Sequence, residues 1–169
     1  MNNWRNLGLC DLREEKIFIE EQPLMLERAE TAEFALTTMK LVLLGNEKES
    51  IVNTPIGEIK ILEEYLPHIV EKRLDARERY VNFVFPTLTN PYEIWEIQEE
   101  FFVKRRFISL FNGERDFMVV VKLFNDGSIL WNMMHCPRKK MNNHRQGDII
   151  YKNGRQVKPI SLELVGFEQ

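Results

Sequence analysis

The residues best suited to chemistry lie between Tyr65 and Asn82, where His68 precedes a run of basic side chains. Histidine titrates near neutral pH and can either donate or accept a proton. On a helix His68 and Lys72 share one face, so the lysine could bring a polyanion to the imidazole. Three arginines flank this face: Arg73, Arg77 and Arg79. The stretch indicates either proton transfer beside a polyanion or a solvated amphipathic helix with a partly buried histidine.

Basic residues are concentrated in the second half of the chain, although the net charge is −3. Residues 1–100 carry 11 Lys and Arg against 20 Asp and Glu, whereas residues 101–158 carry 12 against 4. The overall charge argues against a general nucleic-acid binder. The segregation predicts that a polyanion would meet the C-terminal half.

Size and composition indicate one globular domain, because 169 residues of which 44% are hydrophobic can bury a substantial core. No apolar run approaches the roughly 18 residues that a membrane span needs. We therefore expect a cytoplasmic protein without a membrane partner. Cys10 and Cys136 are too few for a disulfide framework and form no zinc motif.

The first half of the chain has helical patterns. The segment Leu24–Leu44 lacks Gly and Pro, which predicts one helix ended by Gly45. Ile51–Ile61 alternates around a Pro-Ile-Gly turn and predicts a hairpin or a strand. Asp75 is expected to cap a helical turn whose apolar residues face a core. Those residues are Ala76, Tyr80, Phe83 and Val84.

After Tyr92 the pattern changes to strands joined by short turns. Five segments are expected to be strands: Tyr92–Gln98, Lys104–Phe111, Asp116–Phe124, Ile129–Cys136 and Asp148–Tyr151. Asn-Gly and Asn-Asp-Gly turns between them favour hairpins. The predicted fold is α+β, with N-terminal helices packed on one face of an antiparallel sheet of four or more strands. Alternation puts Arg106, Lys122 and His135 in phase with apolar residues of their strands.

The order of these segments resembles a known family. TPIGEIKI, LPHIVEKRLDARERYVNFVFPTLTNPYEIW, KRRFISLF, FMVVVKLFNDGSILWNMM and NNHRQGDIIY follow one another as in the phage-associated barnase/EndoU/colicin/RelE-like nucleases. The likeness runs from about Thr54 to Tyr151. It implies a nuclease-like domain at residues 51–169 behind an N-terminal helical extension at 1–50, with the active site on the sheet.

The resemblance also implies roles for single residues. The histidine of the family's Leu-x-His-Ile run falls on His68, its arginine-rich continuation on Arg73 and Arg77, and its Arg-x-Gly on Arg145 and Gly147. Its basic residue before the second strand falls on Arg106. Where many relatives carry a small hydroxyl residue at the end of the last strand, this chain has His135 and Cys136.

The implied activity is metal-independent RNA cleavage that yields a 2′,3′-cyclic phosphate. Such cleavage needs an acid, a base and fixed cations around the phosphorus. We expect His68 and His135 to transfer protons and Arg106 and Arg145 to hold the phosphate. The expected RNA contacts are Lys72, Arg73, Arg77, Lys122 and Lys139. Carboxylates near the basic region are scattered, so no metal or other cofactor is expected.

Partners follow from the same resemblance. RNA, either tRNA or mRNA, is the expected substrate, and an immunity or antitoxin protein and a phage head protein are candidate protein partners. The protein could then also be virion-associated or delivered into a host cell.

His135 read alone is equally compatible with a partly buried histidine at a strand end. Two other functions stay open, a non-catalytic phage accessory module on the same fold and a ribosome-dependent toxin that cuts mRNA.

Overall fold

The structure is a computed structural model that describes residues 1–71, 73–113, 115–152 and 155–156. Lys72 lies outside these residues, and so does the side chain of Arg73. The α-helices are α1 Ala32–Leu44, α2 Leu66–Val70, α3 Val84–Thr89 and α4 Arg138–Met141. The 3₁₀ turns are Leu12–Glu14, Glu63–Tyr65, Arg73–Asp75, Arg77–Phe83 and Asn142–His144. The strands are β1 Glu49–Thr54, β2 Gly57–Leu62, β3 Glu93–Gln98, β4 Val103–Leu110, β5 Arg115–Phe124, β6 Gly127–Pro137, β7 Asp148–Lys152 and β8 Arg155–Gln156.

These strands form one sheet in the order β1-β2-β6-β5-β4-β3-β7-β8. The α+β class is confirmed, and β3 to β6 are antiparallel neighbours as the turns predicted. The sheet is nevertheless larger than four strands and is mixed, because β2 pairs with β6 in parallel at Lys60 and Ile129. The helices are also not purely N-terminal, since α2 and α3 lie between β2 and β3.

The predicted helix at Leu24–Leu44 begins late, at Ala32. The Thr31 side chain caps it by accepting a hydrogen bond of 3.0 Å from the Phe34 N–H. Upstream, the Leu26 N–H donates a hydrogen bond to the Arg79 carbonyl, and the Arg79 guanidinium donates one to the Leu26 carbonyl. Because these partners lie outside the helix, the backbone of Leu26 is used in contacts with another segment, and helix propensity alone did not reveal this.

Both faces of the sheet are covered, whereas we expected one open face. Phe117, Val119 and Val121 of β5 pack in a large core with α1, α2 and α3. The intervening Met118 and Val120 point the opposite way and pack in a second apolar cluster that includes Leu12 and Met141. The N-terminal segment and α4 therefore cover the face of the sheet that α1, α2 and α3 do not cover. Among the described residues, no helix has the length and apolar character that crossing a membrane requires.

Residues 1–31 are attached to the sheet by backbone pairing at two places. Asn3 bridges Gln146, and Glu20 bridges Phe111. Strand β1 already begins at Glu49, and α1 belongs to the large core. A domain boundary near residue 50 stays a prediction.

Candidate active site

The half-buried imidazole of His135 is stacked on the ring of Tyr80. Their centroids are 4.0 Å apart and the rings are inclined by 24°. His135 lies near the end of β6, and Tyr80 lies in the 3₁₀ turn Arg77–Phe83. Since Tyr80 is buried against Phe83 and Phe117, it forms a fixed support for one face of the imidazole.

Three arginines surround this ring pair. Arg115, the first residue of β5, donates a hydrogen bond of 3.1 Å to the Tyr80 hydroxyl. The guanidinium carbon of Arg79 lies 6.0 Å from the centroid of Tyr80. Arg77 donates to the Oδ1 of Asn132, a residue of β6. We call His135, Tyr80, Arg77, Arg79 and Arg115 the arginine–histidine cluster.

Arg77 is held on two sides. Its Nη2 lies 3.2 Å from Asp75 Oδ2, and its side chain is only 11% exposed. Its Nε is buried and has no hydrogen-bond partner in the described structure. Asp75 therefore orients Arg77, whereas we expected it to cap the turn. Ala76 occupies the position before that turn, in the left-handed region with φ 45°, a strained conformation for a residue with a Cβ.

The cluster lowers the pKa of His135. Burial disfavours the imidazolium, and Arg115, Arg79 and Arg77 repel it, while Asp75 acts in the opposite direction. The imidazole is consequently neutral at pH 7 and has a lone pair to accept a proton.

A second group of side chains lies along the same strand around Trp131. The Lys122 ammonium nitrogen is 3.8 Å from the centroid of Trp131 and 4.2 Å from that of Phe102. The rings of Tyr65 and His68 lie 5.2 and 5.8 Å from Trp131. We call these five residues the aromatic–lysine cluster. Burial and the nearby Lys104 lower the pKa of Lys122.

A β-bulge produces this cluster. Val121 pairs with Leu130 and Val120 pairs with Asn132, which leaves Trp131 as the extra residue of β6. His68 reaches Trp131 from α2, whose first turn contains Pro67. The His68 side chain is half exposed, and its Nδ1 lies 3.4 Å from Glu71 Oε1. Trp131 is four residues before His135 on β6, about 13 Å by strand rise. Trp131 packs against the second apolar cluster, whereas His135 pairs with Phe117, which faces the large core.

Arg145 lies elsewhere, in the interior of the protein. Its Nε and Nη2 each donate a hydrogen bond of 2.7 Å to the carboxylate of Glu93. Its Nη1 donates to the Cys10 carbonyl and to Asn142 Oδ1. Because both Arg145 and Glu93 are fully buried, the expected convergence of His68, Arg106 and Arg145 on one accessible surface is wrong for Arg145.

Arg106 and Lys139 lie on the side of the sheet covered by the N-terminal segment and α4. Arg106 is half-buried and donates a hydrogen bond of 3.2 Å to the His144 carbonyl. Burial lowers its pKa. Lys139 is exposed on α4. Of the expected site residues, the described structure therefore groups His135 with Arg77, and His68 with Lys122, and it keeps Arg145 apart from both groups. Arg106 is a diagonal neighbour of Lys122 on one face of the sheet, because Arg106 pairs with Val120 and Lys104 pairs with Lys122.

Arg115, Tyr80 and Asn132 are new members of the site. The signal for Arg115 was in the sequence, because the turn at Asn112-Gly113 precedes β5, and the hairpin at Asn125-Asp126-Gly127 puts the first residue of β5 opposite the end of β6, where it pairs with Pro137. The contact with Tyr80 depends on the packing of a 3₁₀ turn against the sheet and left no periodic signal. Within the described part of the chain, no three His, Cys, Asp or Glu side chains are grouped in a way that could hold a metal ion.

Comparison with known proteins adds one match. No curated protein and no solved structure matches the chain. A family model matches residues 35–152, a span that contains every residue of the two clusters and begins earlier than the resemblance we noted from Thr54. Because this span is more than half of the chain, the protein belongs to the family described as phage-Barnase-EndoU-ColicinE5/D-RelE like nuclease2.

Proposed function

We propose that the protein is a metal-independent endoribonuclease and that the arginine–histidine cluster is its active site. The observation that carries the proposal is the half-buried His135 stacked on Tyr80 among three arginines. A proton acceptor next to fixed positive charge is what intramolecular cleavage of an RNA phosphodiester requires.

In the proposed reaction, neutral His135 takes the proton of a ribose 2′-hydroxyl. The 2′-oxygen then attacks the adjacent phosphorus, the bond to the 5′-oxygen breaks, and the products end in a 2′,3′-cyclic phosphate and a 5′-hydroxyl. Arg77 and Arg115 stabilise the negative charge on the pentacoordinate phosphorus, because a guanidinium stays protonated and offers a planar pair of donors. Asp75 and Asn132 keep Arg77 in place.

The leaving 5′-oxygen must also gain a proton. A general acid acts within about 3 Å of its target. His68 contacts Trp131, which is four residues from His135 on β6, so we assign the leaving-group proton to solvent and place His68 beside a nucleotide further along the RNA strand. A catalytic role for His68 in proton transfer stays a prediction.

The aromatic–lysine cluster is a suitable binding surface for that more distant nucleotide. Trp131, Tyr65 and His68 present ring faces on which an unpaired base can stack, and Lys122 adds a positive charge. The combination favours single-stranded RNA over duplex RNA, whose bases are already stacked on one another.

The deciding experiment incubates the purified full-length chain with naked RNA in EDTA and analyses the new ends. We expect cyclic phosphate ends, with a loss of roughly two to four orders of magnitude in the His135→Ala variant. Products with 3′-hydroxyl ends that form only with added Mg²⁺ would overturn the mechanism. Cleavage of mRNA only on translating ribosomes would identify the ribosome-dependent toxin, and no cleavage in either assay would favour the accessory module.

A further inference from the structure

A polar cleft of about 390 Å³ lies between the N-terminal segment and α4 with the 3₁₀ turn that follows it. The N-terminal side contributes Trp4, Arg5 and Arg13, and α4 contributes Lys139 and Lys140. It is on the side of the sheet opposite the large core and contains none of the residues of the two clusters. Its other lining residues are Asn3, Asp11, Asn142, Asn143 and Gln146.

The charge of the cleft is positive. Four cationic side chains and one carboxylate line it. The carboxylate, Asp11, is already neutralised by Arg13, which donates to it from Nε and Nη2. Hydrogen bonds from Arg13 hold the pKa of Asp11 well below its usual range. Arg5, Lys139 and Lys140 form no ion pair within the described residues, so their charges are available to an anion.

The Trp4 ring gives the cleft an aromatic surface on which a nucleobase can stack. The guanidinium carbon of Arg5 lies 5.0 Å from the centroid of the Trp4 ring, and that of Arg145 lies 5.4 Å from it. The backbone holds the indole in place, because the Trp4 N–H donates to the Arg145 carbonyl at 3.1 Å. An aromatic ring together with cations and side-chain amides is the combination that binds unpaired nucleotides.

The cleft is within reach of the proposed active site. Lys139 follows His135 by four residues, so their Cα atoms are at most about 14 Å apart. Arg138 anchors the start of α4, since its Nε donates a hydrogen bond of 3.1 Å to the buried Asp116. Tyr80 packs in the large core and the cleft lies on the other side of the sheet, so an RNA strand that occupies both places passes around the end of β6.

We propose that this cleft binds the backbone phosphates and an unpaired base of the RNA strand that flanks the cleavage point. The inference rests on the proposed function for the identity of the ligand. It extends that function to the N-terminal segment, whose residues 1–34 precede the part of the chain that the family model matches.

The test measures equilibrium binding, so that it does not depend on cleavage. The full-length His135→Ala variant is titrated with a fluorescently labelled 12-nucleotide single-stranded RNA at several salt concentrations. Arg5→Gln combined with Lys140→Gln removes one charge from each wall of the cleft. We expect an affinity roughly tenfold lower and a slope of log K against log salt that is smaller by about 1.4, since each phosphate contact contributes about 0.7.

The control combines Lys16→Gln with Lys48→Gln, two exposed lysines outside the cleft, and should leave the salt slope unchanged. In a Trp131→Phe background, RNA should quench the fluorescence of Trp4, and the Arg5/Lys140 double variant should weaken this quenching. Unchanged affinity and slope in the double variant would overturn the proposal. Displacement of the labelled RNA by polyglutamate as effectively as by unlabelled RNA would also overturn it. A wild-type protein that fails to cleave but binds RNA through the cleft would refute the proposed activity and keep this site.

Discussion

Arg145 and Glu93 form a bidentate ion pair in the interior of the protein, with both donor–acceptor distances at 2.7 Å. The Trp95 indole N–H also donates to Glu93 Oε1. The remaining donors of Arg145 bind the Cys10 carbonyl and Asn142. This pair therefore connects β3, the loop after α4 and the N-terminal segment. Its geometry gives Arg145 a structural role that does not involve binding a phosphate.

The first prediction concerns the stability that depends on this pair. Arg145→Lys should lower the free energy of unfolding by about 3 kcal/mol or more, because a point charge cannot satisfy both carboxylate oxygens of a buried Glu93. Urea unfolding measures the effect. The matched control is Arg13→Lys, whose exposed side chain pairs with Asp11, and where the loss should be much smaller because solvent screens the pair. Unchanged stability together with lost RNA cleavage would instead support a phosphate-binding role for Arg145.

The second prediction concerns Gly147, which has φ 102°. A Cβ added there would lie 2.3 Å from the Glu96 carbonyl oxygen. Gly147→Ala should therefore destabilise the fold by more than about 1 kcal/mol. Gly8→Ala is the control, because Gly8 also has positive φ but has no atom within 4 Å of an added Cβ. A melting temperature no lower for Gly147→Ala than for Gly8→Ala would contradict the steric argument.

Much of the sheet could be predicted from the sequence. Alternation and Asn-Gly turns are local signals, so β4, β5 and β6 were found within about two residues of their observed ends. The parallel contact between β2 and β6 could not be predicted, because it joins residues far apart in sequence through a single registered pair. The covering of the second sheet face by residues such as Leu12 also left no periodic pattern.

The site was predicted in part, for a similar reason. His135 and Arg77 were recognised by residue type, and the structure brings them to the same cluster. Arg145 was recognised by the same logic and is buried, because residue type does not distinguish an arginine that binds phosphate from one that pairs with an interior carboxylate. Its partner Glu93 is 52 residues away in sequence. Only the fold shows that they meet.

The third prediction concerns the pKa of His135, measured by NMR titration of its imidazole among the three histidines of the chain. Arg115→Gln should raise this pKa, because it removes a cation that repels the imidazolium. Asp75→Asn should lower it further, because it removes the carboxylate that stabilises the protonated ring. These shifts have opposite signs, so a general loosening of the structure cannot produce both.

The titration of His135 should also appear in the pH dependence of kcat/KM. With His135 as the base, kcat/KM should fall as the pH drops below the lowered pKa of this residue and should be level at neutral pH. The acid limb should move to higher pH in Arg115→Gln and to lower pH in Asp75→Asn. An acid limb that is insensitive to both substitutions would exclude His135 as the base.

The last prediction separates the histidines by their positions. His135→Ala should reduce kcat on single-stranded RNA by roughly two to four orders of magnitude, the usual contribution of a positioned base. His68→Ala should mainly raise KM, because its half-exposed ring lies beside Trp131, four residues from His135 along β6. His144→Ala is the matched control, since His144 is also half-buried and has a lowered pKa, caused by burial and Arg106. Steady-state kinetics of the three variants, with circular dichroism to verify folding, decides the assignment. A loss in kcat for His68→Ala as large as that for His135→Ala would show that both imidazoles act on one phosphate.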